Sequence, residues 1–303
     1  DTKYDSFDRD LEFCNDGLRG VLGAGTNRMN VYVVRRATQA VADYLNGTEL
    51  PKCTAIAYDS RIGSDVFARE AAAVFAANGS LYTAGSEESG GALTAKIWKD
   101  GDALYAYSVS PAVSQARSVC VSGGDVYAAG SLQSGLTKPL AVVWKNDKAH
   151  YTLSDGETPA GVNALCLSGR TLYAAGHSGG AAAVWKDKEL LYTLTDGSSY
   201  AEATAVCRFG HTLYTAGYHT DGFEEEGVVW KEGQELFDLS DGPGSGSMPY
   251  SVAVCYDDIF TAGTIFGTTR TAVVWHGDEI RYTLSDGTGH SEAYSMYVVP
   301  LYD

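Results

Sequence analysis

Five tryptophans, Trp98, Trp144, Trp185, Trp230 and Trp275, recur at intervals of 46, 41, 45 and 45 residues. Around each of them one phrase returns. An apolar stretch leads into Tyr/Phe-x-Ala-Gly, then an apolar run ends in the Trp, and a Tyr- or Phe-bearing run follows. A period of this size made of strand-like units cannot bury its apolar face one unit at a time. Successive units must stack into a continuous core. The first seventy-odd residues stand outside the repeat.

A full unit reads as four strands. Strand A is Ala116-Arg-Ser-Val-Cys120, Val162-Asn-Ala-Leu-Cys166, Ala203-Thr-Ala-Val-Cys207 and Ser251-Val-Ala-Val-Cys255. Strand B ends at Tyr82-Thr-Ala-Gly85, Tyr127-Ala-Ala-Gly130, Tyr173-Ala-Ala-Gly176, Tyr214-Thr-Ala-Gly217 and Phe260-Thr-Ala-Gly263, where small residues suit close backbone approach. Strand C runs into the Trp, as in Ala141-Val-Val-Trp144, and a short hairpin turn joins it to strand D, as in Tyr151-Thr-Leu153. Strands B, C and D occur five times and strand A four times, with Ala72–Ala77 and Tyr294–Val299 as further candidates. Residues 64–79 read better as a helix. The sequence therefore predicts a mainly β chain, a five-bladed β-propeller closed by its C-terminal strand, which removes the exposed edges. A small α/β segment precedes it, so the expected division is residues 1–79 and 80–303. The repeats are similar to uncharacterised bacterial propeller repeats, without the Gly-His and Trp-Asp marks of WD40 units.

Charge is unevenly spread. Residues 1–70 carry a net −2 and the remainder −14. So acidic a surface repels phosphate backbones, which argues against nucleic acid as a partner of the repeat. No apolar run spans a bilayer, so no membrane partner is expected. Cys120, Cys166, Cys207 and Cys255 are read as one repeated position holding a small buried hydrophobe. With no Cys-x-x-Cys pair, neither a zinc site nor disulfides are expected, which favours a reducing, cytoplasmic setting. The chain begins at Asp1 rather than Met, so a removed signal peptide stays open.

In the N-terminal segment Asn30 can cap a helix through Leu45, with Val31, Val34, Val41 and Leu45 on one face. Residues 53–58 read as a buried strand. Ser64 caps a second helix carrying Phe67, Ala71, Val74 and Phe75, which Asn78-Gly79 ends. The residues Leu11-Glu-Phe-Cys-Asn-Asp-Gly-Leu-Arg-Gly20, Gly23-Ala-Gly-Thr-Asn-Arg-Met-Asn30, Tyr58-Asp-Ser-Arg61 and Phe67-Ala-Arg69 resemble the start of domain I of the phosphoglucomutase/phosphomannomutase (α-phosphohexomutase) family. Cys14 and Asn15 replace Gly and Thr of the family's opening motif. The resemblance implies that Arg19 lies near an active cleft and Arg61 near a phosphoserine loop, where a guanidinium fork suits phosphate.

The resemblance ends at Gly79, and the family's phosphoserine, metal, sugar and C-terminal phosphate loops are missing. Asp100-Gly-Asp102 echoes the metal loop, but it lacks a third Asp and falls on a hairpin that every unit shares. Glu87-Glu-Ser-Gly90 echoes the sugar loop outside its context. Without a phosphorylatable serine there is no phosphoryl relay, so mutase turnover is not expected. No cofactor and no metal are expected either.

The strand order gathers Asp155, Asp196, Asp241 and Asp286 on the rim bearing the variable B–C loops. They read either as a carboxylate-lined ligand rim or as turn formers, since Asp-Gly supplies a local cap and positive φ. His177, His211 and His219 show no metal-ligand spacing, and Glu224-Glu-Glu226 reads as a solvated charge run. The leading expectation is a monomeric, non-catalytic binding or scaffolding propeller with a protein, peptide or carbohydrate ligand on its rim. A phosphosugar-related protein using Arg19 and Arg61 is the alternative. A propeller glycosidase, which needs two singular carboxylates, is the third reading.

Overall fold

The computed structural model describes residues 2–7, 9–10, 13–14, 17–18, 21–46, 64–78, 81–89, 92–107, 112–122, 124–220, 222, 224–239, 246–286 and 289–298. The chain divides into two compact units, Asp1–Leu81 and Tyr82–Asp303. Among the described residues no helix is long and apolar enough to cross a membrane.

In the first unit, α1 (Thr2–Phe7), α2 (Val31–Asn46) and α3 (Ser64–Asn78) accompany two short paired strands, Phe13–Cys14 and Gly17–Leu18. Asn30 caps α2: its Oδ1 accepts from the backbone N–H of Tyr32 and Val33, each at 3.1 Å. Its Nδ2 donates to the carbonyls of Gly23 and Gly25 at 2.9 Å, which draws the preceding loop onto the helix start. Gly25, at φ 130°, packs so closely on α1 that a Cβ would lie 2.1 Å from the Ser6 carbonyl oxygen. Arg35 of α2 pairs with Glu70 of α3, and Arg36 with Asp10. Both helices form where the apolar spacing predicts them. The strand expected at residues 53–58 lies outside the described residues.

In the second unit, five antiparallel sheets follow one another along the chain. Sheet I holds Tyr82–Ser89, Ala92–Lys99 and Asp102–Tyr107, which are strands B, C and D. Sheets II to V each carry strands A to D in order. They are Ala112–Ser122, Asp125–Ser134, Leu140–Lys145 and Lys148–Thr152; Ala160–Ser168, Thr171–Ser178, Ala181–Lys186 and Glu189–Thr193; Ala201–Phe209, Thr212–Thr220, Glu225–Lys231 and Gln234–Asp238; and Ser247–Cys255, Asp258–Phe266, Arg270–His276 and Glu279–Thr283. Short hairpins make each sheet a meander. The C–D turns take positive φ at Asp100, Asn146, Asp187 and Glu232, and at Gly277 in sheet V. At three of these turns the side chain accepts from the first residues of strand B: Asn146 from Val126, Asp187 from Leu172, and Glu232 from Leu213. Asp100-Gly101, the metal-loop echo, is the same turn in sheet I.

Apolar cores lie between successive sheets, and Trp144, Trp185, Trp230 and Trp275 each pack toward the sheet before their own. Trp144 stacks on Tyr107 of sheet I with ring centroids 4.7 Å apart, and Trp185, Trp230 and Trp275 are essentially buried. Trp98, in the first sheet, is only half-buried.

A bulge interrupts strand A at the same place in sheets II to V, leaving Arg117, Asn163, Thr204 and Tyr250 without a register partner on strand B. Just before each bulge the A and B backbones nearly touch. A Cβ on Gly130, Gly176, Gly217 or Gly263 would lie 1.8, 2.0, 2.1 or 2.3 Å from the carbonyl oxygen of Gln115, Gly161, Glu202 or Met248. That approach is why the Ala-Gly pair ends with Gly.

Register corrects one sequence expectation. Cys120, Cys166 and Cys207 pair with Tyr127, Tyr173 and Tyr214, but Phe260, the corresponding aromatic, pairs with Ala253. Cys255 pairs with Asp258 beside the hairpin turn, two residues further on. The turn sets the register, and a two-residue shift keeps Cys255 on the same face, so residue type alone masked the offset.

The described C-terminal residues, 289–298, form no strand, and among the described residues sheet I has no strand A. Residues 291–296 nevertheless repeat strand A's contacts to the preceding sheet. Ser291 N donates to Arg270 O at 2.8 Å, as Ala160 N does to Pro139 O at 2.9 Å. Ser291 Oγ accepts from Ala272 N at 2.9 Å, as Ser114 Oγ does from Ala95 N at 2.9 Å. Met296 N donates to Ser251 Oγ at 3.2 Å, as Leu165 N does to Ser118 Oγ at 3.0 Å. These contacts give Tyr294 the place, relative to the preceding sheet, that the four bulge residues hold relative to theirs.

Candidate functional site

The bulge takes one residue per sheet out of the ladder and frees its side chain to bridge to the next sheet. Arg117 Nη1 donates to Asn163 Oδ1 at 2.5 Å, and its Nη2 reaches Gln115 Oε1 at 3.3 Å. Asn163 Nδ2 donates to both Glu202 Oε2 and the Ala203 carbonyl at 3.0 Å. Thr204 Oγ1 donates to the Pro249 carbonyl at 2.6 Å. The Tyr250 ring lies 4.8 Å, centroid to centroid, from that of Tyr294. One polar and aromatic line thus runs across the first strands of sheets II to V and ends on the C-terminal segment.

Two glutamates anchor it, each two residues before a bulge position. Glu202 accepts from Asn163 on one oxygen and from the Tyr200 hydroxyl on the other, and its Oε1 lies 3.4 Å from His177 Nδ1. Glu292 pairs with Arg270 Nη1 at 2.6 Å and accepts from the Tyr294 hydroxyl. Both carboxylates are largely buried, with 16% and 17% of their side-chain surface exposed.

Burial pushes the hydroxyls of Tyr200, Tyr218 and Tyr250 upward, and the nearby carboxylates add to the shift. Tyr218, which faces Glu202 across the A–B ladder, is pushed up to about 12. All three are protonated donors at neutral pH. Burial pushes His177 below the usual histidine range, against the pull of Glu202, and its buried Nδ1 has no hydrogen-bond partner. The cluster offers fixed donors, acceptors and aromatic faces. Among the described residues no group of three His, Cys, Asp or Glu is arranged to hold a metal.

The residues singled out in the sequence stand elsewhere. Asp155 Oδ1 accepts from Glu157 N at 2.9 Å and Asp196 Oδ1 from Ser198 N at 2.8 Å, so each carboxylate caps its own turn. Gly156 and Gly197 follow at φ 83° and 76°. Asp286 is exposed in the corresponding connection of sheet V, while Asp241, Arg19 and Arg61 lie outside the described residues. Of the histidines, His177 joins the cluster, His219 lies 3.6 Å from Glu226, and His211 is exposed in an A–B turn. Glu225 and Glu226 begin strand C of sheet IV, and Glu87 of the sugar-loop echo pairs with Lys96.

Sequence reasoning missed Arg117, Asn163, Glu202, Tyr250 and Glu292, although a signal was present. In Arg117-Ser-Val-Cys, Asn163-Ala-Leu-Cys and Thr204-Ala-Val-Cys the leading residue is polar and different each time within a uniform phrase. Aligning on Cys255 hid the fourth member, Tyr250.

Residues 10–83 match the profile of the phosphoglucomutase/phosphomannomutase alpha/beta/alpha domain I. Over 73 residues the chain is 36% identical to a phosphoglucomutase of Staphylococcus saprophyticus subsp. saprophyticus. That stretch is 24% of this chain and spans 13% of that protein's length. The N-terminal segment is therefore phosphohexomutase-like, and the likeness runs two residues into strand B of sheet I.

Proposed function

We propose that Tyr82–Asp303 is a five-bladed β-propeller that binds a ligand without catalysing its conversion, and that the strand A bulges form its binding site. The observation that carries this reading is the bulge line itself. At a position where a repeat would keep one residue, the chain places Arg117, Asn163, Thr204, Tyr250 and Tyr294. Repetition serves the fold, whereas singular polar residues at a shared position serve recognition.

Ring closure is supported by Gly85. In sheets II to V the glycine at this position faces a strand A carbonyl, yet among the described residues a Cβ on Gly85 would meet the Trp98 side chain alone, at 3.1 Å. A glycine kept for close approach calls for a carbonyl there, and by the bulge series that is the carbonyl of Glu292. The register that follows sets Ala293 opposite Gly85, Ser295 opposite Ala84 and Met296 opposite Thr83. The double variant Thr83→Cys, Met296→Cys tests it. Mild oxidation is expected to give an intramolecular disulfide, and a purely intermolecular one would show that the edge pairs with a second copy instead.

A second reading is favoured by the phosphohexomutase-like segment, which supports phosphosugar binding through Arg19 and Arg61. A thermal shift with glucose 1-phosphate that disappears in Arg19→Ala is its expected mark. Turnover of sugar phosphates or glycosides that falls with loss of a single carboxylate would overturn the non-catalytic reading.

A further inference from the structure

We propose that the bulge cluster recognises a neutral, polyhydroxylated ligand of the saccharide class, an inference that rests on reading the sheets as a binding module. Three observations converge on it, and the first is charge. The repeat region carries a net −14, yet the cluster sets two carboxylates, Glu202 and Glu292, against two guanidiniums, Arg117 and Arg270. Each charged group is already engaged: Glu292 by Arg270 and Tyr294, Glu202 by Tyr200 and Asn163, and Arg117 by Asn163 and Gln115. An anion approaching Arg117 meets Glu202 across the Asn163 carboxamide. A cation approaching Glu292 meets Arg270. These paired charges cancel one another, so the bulge line itself adds no net charge to an acidic surface, which favours an uncharged ligand.

The second observation is the state of the tyrosines. Tyr200 and Tyr294 are 46% and 56% exposed, yet both hydroxyls are held by glutamates. What each offers solvent is a ring in a fixed orientation, so little freedom remains to be lost on binding. Tyr250 packs beside Tyr294 and extends the aromatic surface. A ligand that stacks on it needs an apolar C–H face.

The third is the polar complement. A guanidinium has five N–H donors, and carboxylate oxygens accept more than one bond each. Arg117 uses one donor on Asn163 and one on Gln115, and each Glu202 oxygen holds one hydrogen bond. Planar groups with spare donors and acceptors, set beside ring faces, match a molecule whose edge alternates hydroxyl donors and acceptors and whose face is hydrocarbon. A pyranose ring has that chemistry. A phosphate, charged and without a hydrocarbon face, does not combine the two.

The test titrates the full chain with neutral gluco-, manno-, galacto-, xylo- and chito-oligosaccharides. A sugar phosphate, a nucleotide and a basic peptide serve as comparators, with binding read by calorimetry and saturation-transfer NMR. At least one neutral oligosaccharide is expected to bind, about tenfold more weakly to Tyr294→Ala and Tyr200→Ala, while Tyr294→Phe keeps most of the affinity. Circular dichroism establishes that the variants, altered at exposed rings, remain folded. Absence of any neutral oligosaccharide binding overturns the proposal, as does binding that neither alanine variant weakens. A comparator bound in place of sugars, and lost in the alanine variants, overturns the ligand class but leaves the binding module standing. Cleavage of a bound glycoside supports the ligand class and overturns the non-catalytic reading.

Discussion

Asn163 and Glu202, thirty-nine residues apart, meet across two neighbouring sheets, with the carboxamide nitrogen 3.0 Å from Glu202 Oε2. The same nitrogen donates its second proton to the Ala203 carbonyl, and the carboxamide oxygen accepts from Arg117. One half-buried amide thus links three successive first strands and orients the carboxylate at the centre of the cluster. Replacing Asn163 by Ala leaves the Ala203 carbonyl and the Glu202 oxygen short of a donor. The variant is expected to lose about 1–3 kcal/mol of stability in denaturant unfolding.

The close approach of strands A and B makes glycine obligatory at Gly176, where a Cβ would lie 2.0 Å from the Gly161 oxygen. Gly176→Ala should cost about 3 kcal/mol or more. In a closed ring Gly85→Ala should cost a comparable amount, because the Glu292 carbonyl fills the same place. In an open one it should cost distinctly less, because the added methyl then meets the half-buried Trp98 ring at 3.1 Å rather than a backbone carbonyl. The two midpoints in one denaturant series decide between these.

Inter-sheet packing predicts an asymmetry among the tryptophans. Trp185 is 1% exposed inside the core between sheets II and III, so Trp185→Ala should cost about 3–5 kcal/mol. In an isolated first sheet the half-buried Trp98 should cost distinctly less. A Trp98→Ala variant as damaging as Trp185→Ala would instead reveal a fifth inter-sheet core, formed on ring closure.

Asp155 and Asp196 hold backbone N–H groups in their own turns. Asp155→Ala is therefore expected to cost about 1 kcal/mol in stability, as loss of a local cap does, and to leave ligand affinity unchanged. Affinity measured on this variant and on Tyr294→Ala separates the turn carboxylates from the bulge cluster.

His177 is held neutral by burial, which lowers its pKa below that in the unfolded chain. The unfolded state therefore binds the extra proton first. The stability linked to His177 is fully present above the unfolded value of about 6.5 and is lost as pH falls toward the depressed folded value. Wild-type protein should lose stability between pH 7 and pH 5, and His177→Gln should lose less over the same interval. Thermal unfolding across that range reads the difference.

Strand content, the C–D turns and the Trp-centred cores were legible because each depends on residues near one another in sequence. Period, alternation and Asp-Gly or Lys-Asn pairs carry local rules, and the Asn30 cap of α2 is of the same kind. The cluster was not legible for the converse reason. Arg117, Asn163, Thr204 and Tyr250 come from four separate units, and nothing local says which side chain leaves the ladder. A bulge does that, and bulges are set by pairing between strands. Cys255 shows the same limit: a repeated residue type suggested equivalence, and the hairpin turn set the pairing two residues away.

By itself the sequence determined that units of about forty-five residues stack, that each carries one tryptophan at a fixed place, and that a phosphohexomutase-like segment precedes them. Hydrophobic period, turn chemistry and a family's motifs are all written along the chain. Only the tertiary structure decided which polar side chains converge, and it exchanged a row of repeated aspartates for a line of unlike residues. The physical reason is that backbone register, through one extra residue in each first strand, turns side chains forty residues apart toward a common place.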